Sequence, residues 1–367
     1  MTIEAQTTRP SDEDERRRDA LADRLVAAAT ATLELYSVHL GRELGLYDAL
    51  TEPLSYPDLS TATGVAPRYA REWLEQQAVA GLLEVAIPGD AEHRRYVVPA
   101  PHRPVLHDAE AATHVAPVAD MVAGIGAVLG QVARAYRTGE GVPYAEYGAS
   151  FRRGQAGMNR PAFADLPEWM AAIPDVAARV HADPVGRIAD IGCGEGWSTL
   201  ALAREFPLAF VDGYDSDVAS VEAARSHAAE AGLGERVSFR LVDAADPHGI
   251  TGPYDLVLVF EALHDLARPL EALRSLRTAL AESGVVLVVD ERVAGEFTAP
   301  GDEVERLMYG WSVTHCLPAS LADAPSAGLG TVLRSSTVHA LAGTAGYRSS
   351  RELPVDNDFF RFYRLDR

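Results

Sequence analysis

The chain has 367 residues, enough for two domains, and its 47% hydrophobic and 23% charged content is that of an ordinary globular protein. The formal net charge is −20 and all 33 basic residues are arginine, which opposes binding to nucleic acid or to an anionic membrane and permits a neutral or cationic small-molecule partner. No apolar run reaches membrane-spanning length without a charge or turn signal. Two cysteines, Cys193 and Cys316, are too few for a disulfide framework or a four-thiolate zinc site, and both read as buried thiols of a reducing, cytoplasmic compartment.

Residues 1–18 are acidic before they are basic and lack an apolar core, so they read as a disordered tail and not as a signal peptide. Leu21, Leu25, Ala28, Leu33, Tyr36, Leu40 and Leu44 then carry helical periodicity. A short helix over Tyr56–Thr63, a turn at Gly64, a helix from Pro67 to Ala80 and a hairpin through LLEV and RRYVV follow. Helix–turn–helix followed by hairpin is a winged-helix pattern, spanning residues 19–110. Residues 1–110 hold 11 arginines against 19 acids, and the second helix sets Glu72 and Glu75 beside Arg68 and Arg71. A DNA reader needs a basic footprint, so the module reads as a dimerisation domain. Residues 111–165 read as linker helices and a polar, aromatic lid.

From 166 to 367 the pattern alternates, with strands at 187–191, 208–214, 237–241, 254–260 and 284–290, a helix near Ser336–Ala345, and strand-like runs at Tyr347–Leu353 and Phe359–Leu365. Such alternation implies an α/β, doubly wound parallel sheet, which places a ligand at the carboxyl ends of its strands.

RIADIGCGEGW places Gly192, Gly194 and Gly196 between a strand and a helix. A dinucleotide fingerprint would carry a third glycine at 197, where this chain has Trp197. Three acids follow in register. Asp190 lies in the first strand and can orient the turn or meet an ammonium. Asp215 ends the second strand, where a carboxylate suits a ribose diol. Asp243 follows the third, where an acid suits an exocyclic amine such as that of adenine. Each acid alone is more often a solvated strand end or a helix cap, but three in register point to a ligand. Ribose, adenine and a positive charge without phosphate describe S-adenosylmethionine (SAM).

DIGCGEG, GYDSD and VDAAD resemble the motifs of class I SAM-dependent methyltransferases over residues 185–292. GQAGMNRP, FEALHDLARPLEALRSL, YGWSVTHCLP, PSAGLGT and DNDFFRFYRL are similar to a bacterial small-molecule subfamily with an amino-terminal winged helix. The resemblance implies a Rossmann-like, seven-stranded methyltransferase sheet behind a mainly helical winged-helix domain, SAM as cofactor, and a homodimer. It implies SAM contacts from Asp190, Gly192, Cys193, Gly194 and Gly196, from Asp215 with Ser216, from Asp243 with Ala244, and from Phe260 and Glu261 flanking the methionine portion. Tyr147, Gln155, Asn159 and Arg160 belong to the lid segment that packs over the cofactor in that family, with Arg160 the natural partner of the methionine carboxylate.

Methyl transfer from a sulfonium is an in-line displacement, so the protein aligns the acceptor and, where needed, removes its proton. His264 is the first base candidate, with Asp265 as its orienter; the plainer alternative is a pair of caps. His315 is the second, on a helical face with the acceptor-wall candidates Tyr309 and Ser312, unless the insertion only packs on its own sheet. His264, Asp265 and His315 also match the two-histidine, one-carboxylate pattern of non-haem iron, the basis of an alternative keto-acid C-methyltransferase reading, although no tight ligand spacing supports it. The remaining alternatives are a SAM-responsive transcription regulator and a SAM-binding relative with a non-methylating activity.

Overall fold

The computed structural model describes residues 11–182 and 186–367. Helix α1 (Asp12–Glu43) starts from a reciprocal capping box between Ser11 and Asp14, with four acids in its first turn. Residues 12–18 are therefore helical where the sequence suggests a tail; residues 1–10 of that tail lie outside the described residues. Next come α2 (Leu46–Ala49), α3 (Tyr56–Thr63), α4 (Pro67–Val79) and the hairpin of β1 (Glu84–Ile87) and β2 (Arg95–Val97). Leu46, Leu50, Leu59, Leu74, Tyr96 and Val98 form the core of this unit. On α4, Arg68 pairs with Glu72 and Arg71 with Glu75, so that helix presents no free row of cations.

After α5 (Arg103–Leu106), α6 (Val118–Thr138) packs against α1 and α7 (Gly148–Asn159), and Gly124 permits that approach, since a Cβ there would lie 2.6 Å from Phe151 Cβ. By length and hydropathy alone α6 is the one helix among the described residues that could cross a membrane, although it carries Asp120 and Arg134. Its buried face, including Ile125, Val128 and Val132, forms a core with Tyr147 and Phe151, as in a core helix of a folded domain.

The second unit runs α8 (Leu166–Ala171), α9 (Pro174–Val180), β3 (Arg187–Ile191), α10 (Trp197–Glu205), β4 (Phe210–Asp215), α11 (Val218–Glu230), β5 (Val237–Leu241), β6 (Tyr254–Phe260), α12 (Pro269–Ala279), β7 (Leu280–Glu291), α13 (Glu303–Trp311), α14 (Leu317–Ser320), α15 (Ser335–Ala345), β8 (Ser349–Glu352) and β9 (Phe360–Asp366). The seven strands pair in the order β5-β4-β3-β6-β7-β9-β8. The first five are parallel, and β9 is antiparallel to both β7 and β8. Continuous β-branched and leucine runs such as LVLVF in β6 suit strands buried on both faces, and two separate apolar cores cover this sheet. The strand order reverses between β3 and β6, so the crevice for a ligand opens at their carboxyl ends.

Candidate active site

A cavity of about 370 Å³ opens at that crevice, within the usual ligand-pocket range of about 300–1,000 Å³. The glycine turn forms its floor. Gly192, Gly194 and Gly196 all have positive φ, and a Cβ on Gly192 would lie 2.6 Å from Ala262 Cβ. Gly194 faces open space, so its bare backbone is available to a ligand. Asp215 fixes the lip: Oδ2 accepts from Gly194 N at 2.8 Å and Oδ1 from Asp217 N at 2.8 Å. Burial raises the Asp215 carboxyl pKa, while those N–H groups work the other way. Asp190 lies beneath, with Oδ2 accepting from Ser198 Oγ at 2.6 Å and Thr199 Oγ1 at 2.5 Å. It ties the first turn of α10 to β3; burial pushes it up to about 6 although both hydroxyls favour its ionised form.

Gly192, Cys193, Gly194, Asp215, Ser216, Phe260, Glu261, Gln155 and Asn159 all line the cavity, as does Asp265. The sequence reading missed several neighbours. Trp197 stacks on His227 with centroids 4.4 Å apart, and Phe163 packs against Phe260. Tyr144 donates to Gln155 Oε1 at 2.7 Å, and Arg152 stands 3.5 Å from Asp217 with its buried Nη1 lacking a hydrogen-bond partner. Trp197 could have been suspected as the residue that breaks the dinucleotide pattern. Tyr144 and Arg152 lie in the polar lid segment, where spacing does not tell which side chains turn inward.

Residues 183–323 match the family described as "Methyltransferase domain". This part of the chain is thus similar to methyltransferase domains. Trans-aconitate 2-methyltransferase of Streptomyces coelicolor is 40% identical over 89 residues, a stretch covering 24% of this chain and 27% of that protein, so the chain matches about a quarter of that relative's length. Among solved structures, mitomycin 7-O-methyltransferase MmcR superposes with a TM-score of 0.68 at 21% identity, covering 96% of this chain and 99% of the other. Human N-acetylserotonin methyltransferase, solved with SAM, gives 0.67 at 18% identity, covering 98% and 99%. The fold is thus that of these two methyltransferases over nearly the whole of each chain.

SAM fits the donor set of this domain. The cavity offers carboxylates for a diol and a cation, aromatic walls, and one arginine where a phosphate ligand would ask for a cationic cradle.

Several sequence expectations need correction. Asp243 is absent from the cavity wall: β5 ends at Leu241, and the Asp243 carboxylate turns outward to Arg268 and to Ala245 N. Ala244 is buried in the core instead. Gly196 caps α10 and lies against Phe239, and it is its neighbours Glu195 and Trp197 that line the cavity. Arg160 is not free for a methionine carboxylate, because it lies 3.8 Å over the Trp197 ring and pairs with Glu110. The cavity arginine is Arg152.

The base candidates are rearranged too. His264 is buried, only 3% exposed, and does not line the cavity. Its orienter is Asp290, with Nδ1 2.7 Å from Asp290 Oδ1, whereas Asp265 stands 3.4 Å from Nε2. Burial alone would discharge His264, but Asp290, Asp265 and Glu291 outweigh it and hold its pKa well above the usual imidazole value. His315 is enclosed by Tyr144, Tyr147 and Phe151, and burial lowers it to about 4. It does not close a ligand set with His264 and Asp265, since the donor that approaches those two is the Cys316 thiol. Burial pushes that thiol up to about 12, so it stays protonated. Tyr147 is buried and donates to Thr314 O at 3.0 Å. Ser312 is buried beside Gly330, whereas Tyr309 faces outward near Arg334, so Tyr309, Ser312 and His315 do not form one acceptor wall. A π-helical turn at Ser312–Cys316 breaks the regular spacing that would have aligned them.

Proposed function

We propose that the protein transfers a methyl group from SAM to a small-molecule acceptor in bacterial secondary metabolism. The observation that carries this reading is the Asp215 carboxylate, clamped by Gly194 and Asp217 N–H groups at the mouth of an open glycine turn. SAM supplies an electrophilic methyl group on a sulfonium. In this reading Asp215 and Ser216 accept the ribose hydroxyls, and Gln155, Asn159, Phe260 and Glu261 flank the methionine portion. Tyr144, bonded to Gln155, holds the lid segment over the cavity and keeps water out. Alignment of acceptor and methyl group can supply about 7–11 kcal/mol of the rate enhancement. His264, held by Asp290 behind Asp265, sets the electrostatics of the acceptor side. The names of the relatives, with mitomycin, trans-aconitate and N-acetylserotonin methyltransferases among them, support a small acceptor.

The test is a calorimetric titration of the full chain, stripped of bound nucleotide, with SAM, NAD and ATP in turn. Binding of SAM alone is expected. Binding of NAD or ATP in its place would contradict the reading.

The same proposal places the protein in the cytoplasm as a homodimer. Both cysteines are buried free thiols, which suits a reducing compartment. Leu21, Leu25, Val26, Leu33 and Leu40 are each more than half exposed along α1, an apolar stripe that a second copy would cover. Replacing Leu25 and Leu33 together by Glu should convert the dimer to monomer in sedimentation; an unchanged mass would remove α1 from the interface.

A further inference from the structure

We propose that Glu261 is the proton-handling group of the cavity: it gives up a proton when a cation binds beside it, and then stands as the carboxylate that takes the acceptor's proton. The inference rests on the SAM-dependent reading above.

Glu261 follows the last residue of β6, and among the described residues it is the one non-glycine with positive φ, at 46°. Such a conformation is strained for a residue with a side chain and persists where surroundings enforce it. Here Glu261 N still donates to Val289 O at 2.8 Å. The residue stays tied to β7 as the chain leaves the sheet at the cavity, on whose wall it stands. A structural turn at this place would take glycine or asparagine at lower cost.

Two other acids of the site, Asp215 and Asp217, are engaged in holding backbone. Asp215 receives Gly194 N and Asp217 N, while Asp217 caps α11 through Ser220 N and Ser220 Oγ. His264, the conventional choice for a base, is sealed behind the wall, with Nδ1 committed to Asp290 and with three carboxylates that keep it protonated. A protonated imidazole cannot take a proton.

Every charged group packed against Glu261 bears on its charge. His264 and Asp265 face it from the turn after β6, Asp290 and Glu291 from the end of β7, and the Asn159 amide approaches from α7. Burial, reinforced by Asp290 and Asp265 and opposed by His264 and Asn159, raises the Glu261 carboxyl to about 7. That is where a general base works best at neutral pH. Burial raises the Glu291 carboxyl well above the usual range, while at Asp290 burial is outweighed by the His264 charge and by hydrogen bonds, which lower the carboxyl.

In the transfer, an acceptor lone pair forms the bond to the methyl carbon and the carbon–sulfur pair remains on sulfur. The acceptor's proton passes to a Glu261 carboxylate oxygen and then to solvent. No oxidant or reductant is involved.

The test measures protons released on binding, by calorimetry at pH 7 in two buffers of different ionisation enthalpy. The probes are SAM and its demethylated product, which differ at the charged sulfur. SAM should release roughly half a proton from the wild-type chain, because a group titrating near pH 7 is half protonated there. The neutral thioether should release much less, and Glu261→Gln should lose the difference between the two probes. The SAM affinity of the wild type should rise as pH increases through 7, and that of Glu261→Gln should stay flat. Equal release by Glu261→Gln, or none by a wild type that binds SAM, overturns the role of Glu261. Failure of the wild type to bind SAM overturns the SAM reading itself.

Discussion

Asp215→Ala is expected to weaken SAM binding roughly a hundredfold while leaving the apo protein folded. The carboxylate holds two backbone N–H groups of the turn, at 2.8 Å each, and stands on the cavity wall where ribose hydroxyls would meet it. Hydrogen bonds to a charged group contribute about 1.5–3 kcal/mol each, and losing one strong pair of them amounts to about 3 kcal/mol. The freed N–H groups of Gly194 and Asp217 face the cavity and can be hydrated, so the cost to the fold itself is small. Asp215→Asn should fall between the two, since an amide oxygen accepts hydrogen bonds without the charge. The difference is read as SAM-induced thermal stabilisation. At a hundred times its dissociation constant a ligand stabilises the folded state by about 2.7 kcal/mol, and most of that should vanish for Asp215→Ala at the same SAM concentration. Equal stabilisation of variant and wild type would take Asp215 out of the binding site.

Asp290→Ala is expected to destabilise the protein by about 3–5 kcal/mol, the range for removing one partner of a buried ion pair. Asp290 is 1% exposed and His264 3%, with 2.7 Å between Oδ1 and Nδ1. The pH dependence follows from the two shifts. Burial disfavours the Asp290 carboxylate, but the His264 charge and its hydrogen bonds win and lower the pKa. Its contribution is therefore present above the usual carboxylate value and lost as pH falls through the lowered one. The His264 pKa is raised, so its contribution is complete below the usual imidazole value and lost as pH rises through the raised one. The stability gap between wild type and Asp290→Ala should thus be widest between about pH 4 and 6.5, where both contributions are complete, and narrow on either side. Denaturant unfolding across that range measures it. A variant as stable as wild type at pH 5.5 would show that the neighbouring carboxylates, Asp265 and Glu291, carry the His264 charge unaided.

The fold was legible where the chain repeats a simple rule. Runs such as RIADI and YDLVLVF bury both faces and turn at glycine or at a polar cluster, so β3 and β6 fall at the residues their pattern indicates. β7 is longer than its apolar core suggests, because the polar Glu282 and Ser283 extend it at the amino end. The glycine turn was legible as well, since three positive-φ positions between strand and helix admit little besides glycine. The partners of long side chains were not. Arg160 had two competitors for its guanidinium, Trp197 and Glu110, which are distant in sequence, and Asp243 had Arg268. The orienter of His264 came from β7, 26 residues away, where nothing in the motif around His264 points. Register across a sheet decides such pairs, and it is fixed only when the sheet has formed.

The most direct measurement is a crystal structure of the full chain grown with saturating demethylated SAM product. The account predicts ligand density along Gly192–Gly196, with the ribose on Asp215 and the thioether beside Glu261. An empty cavity, or the ligand bound elsewhere on the protein, would contradict it.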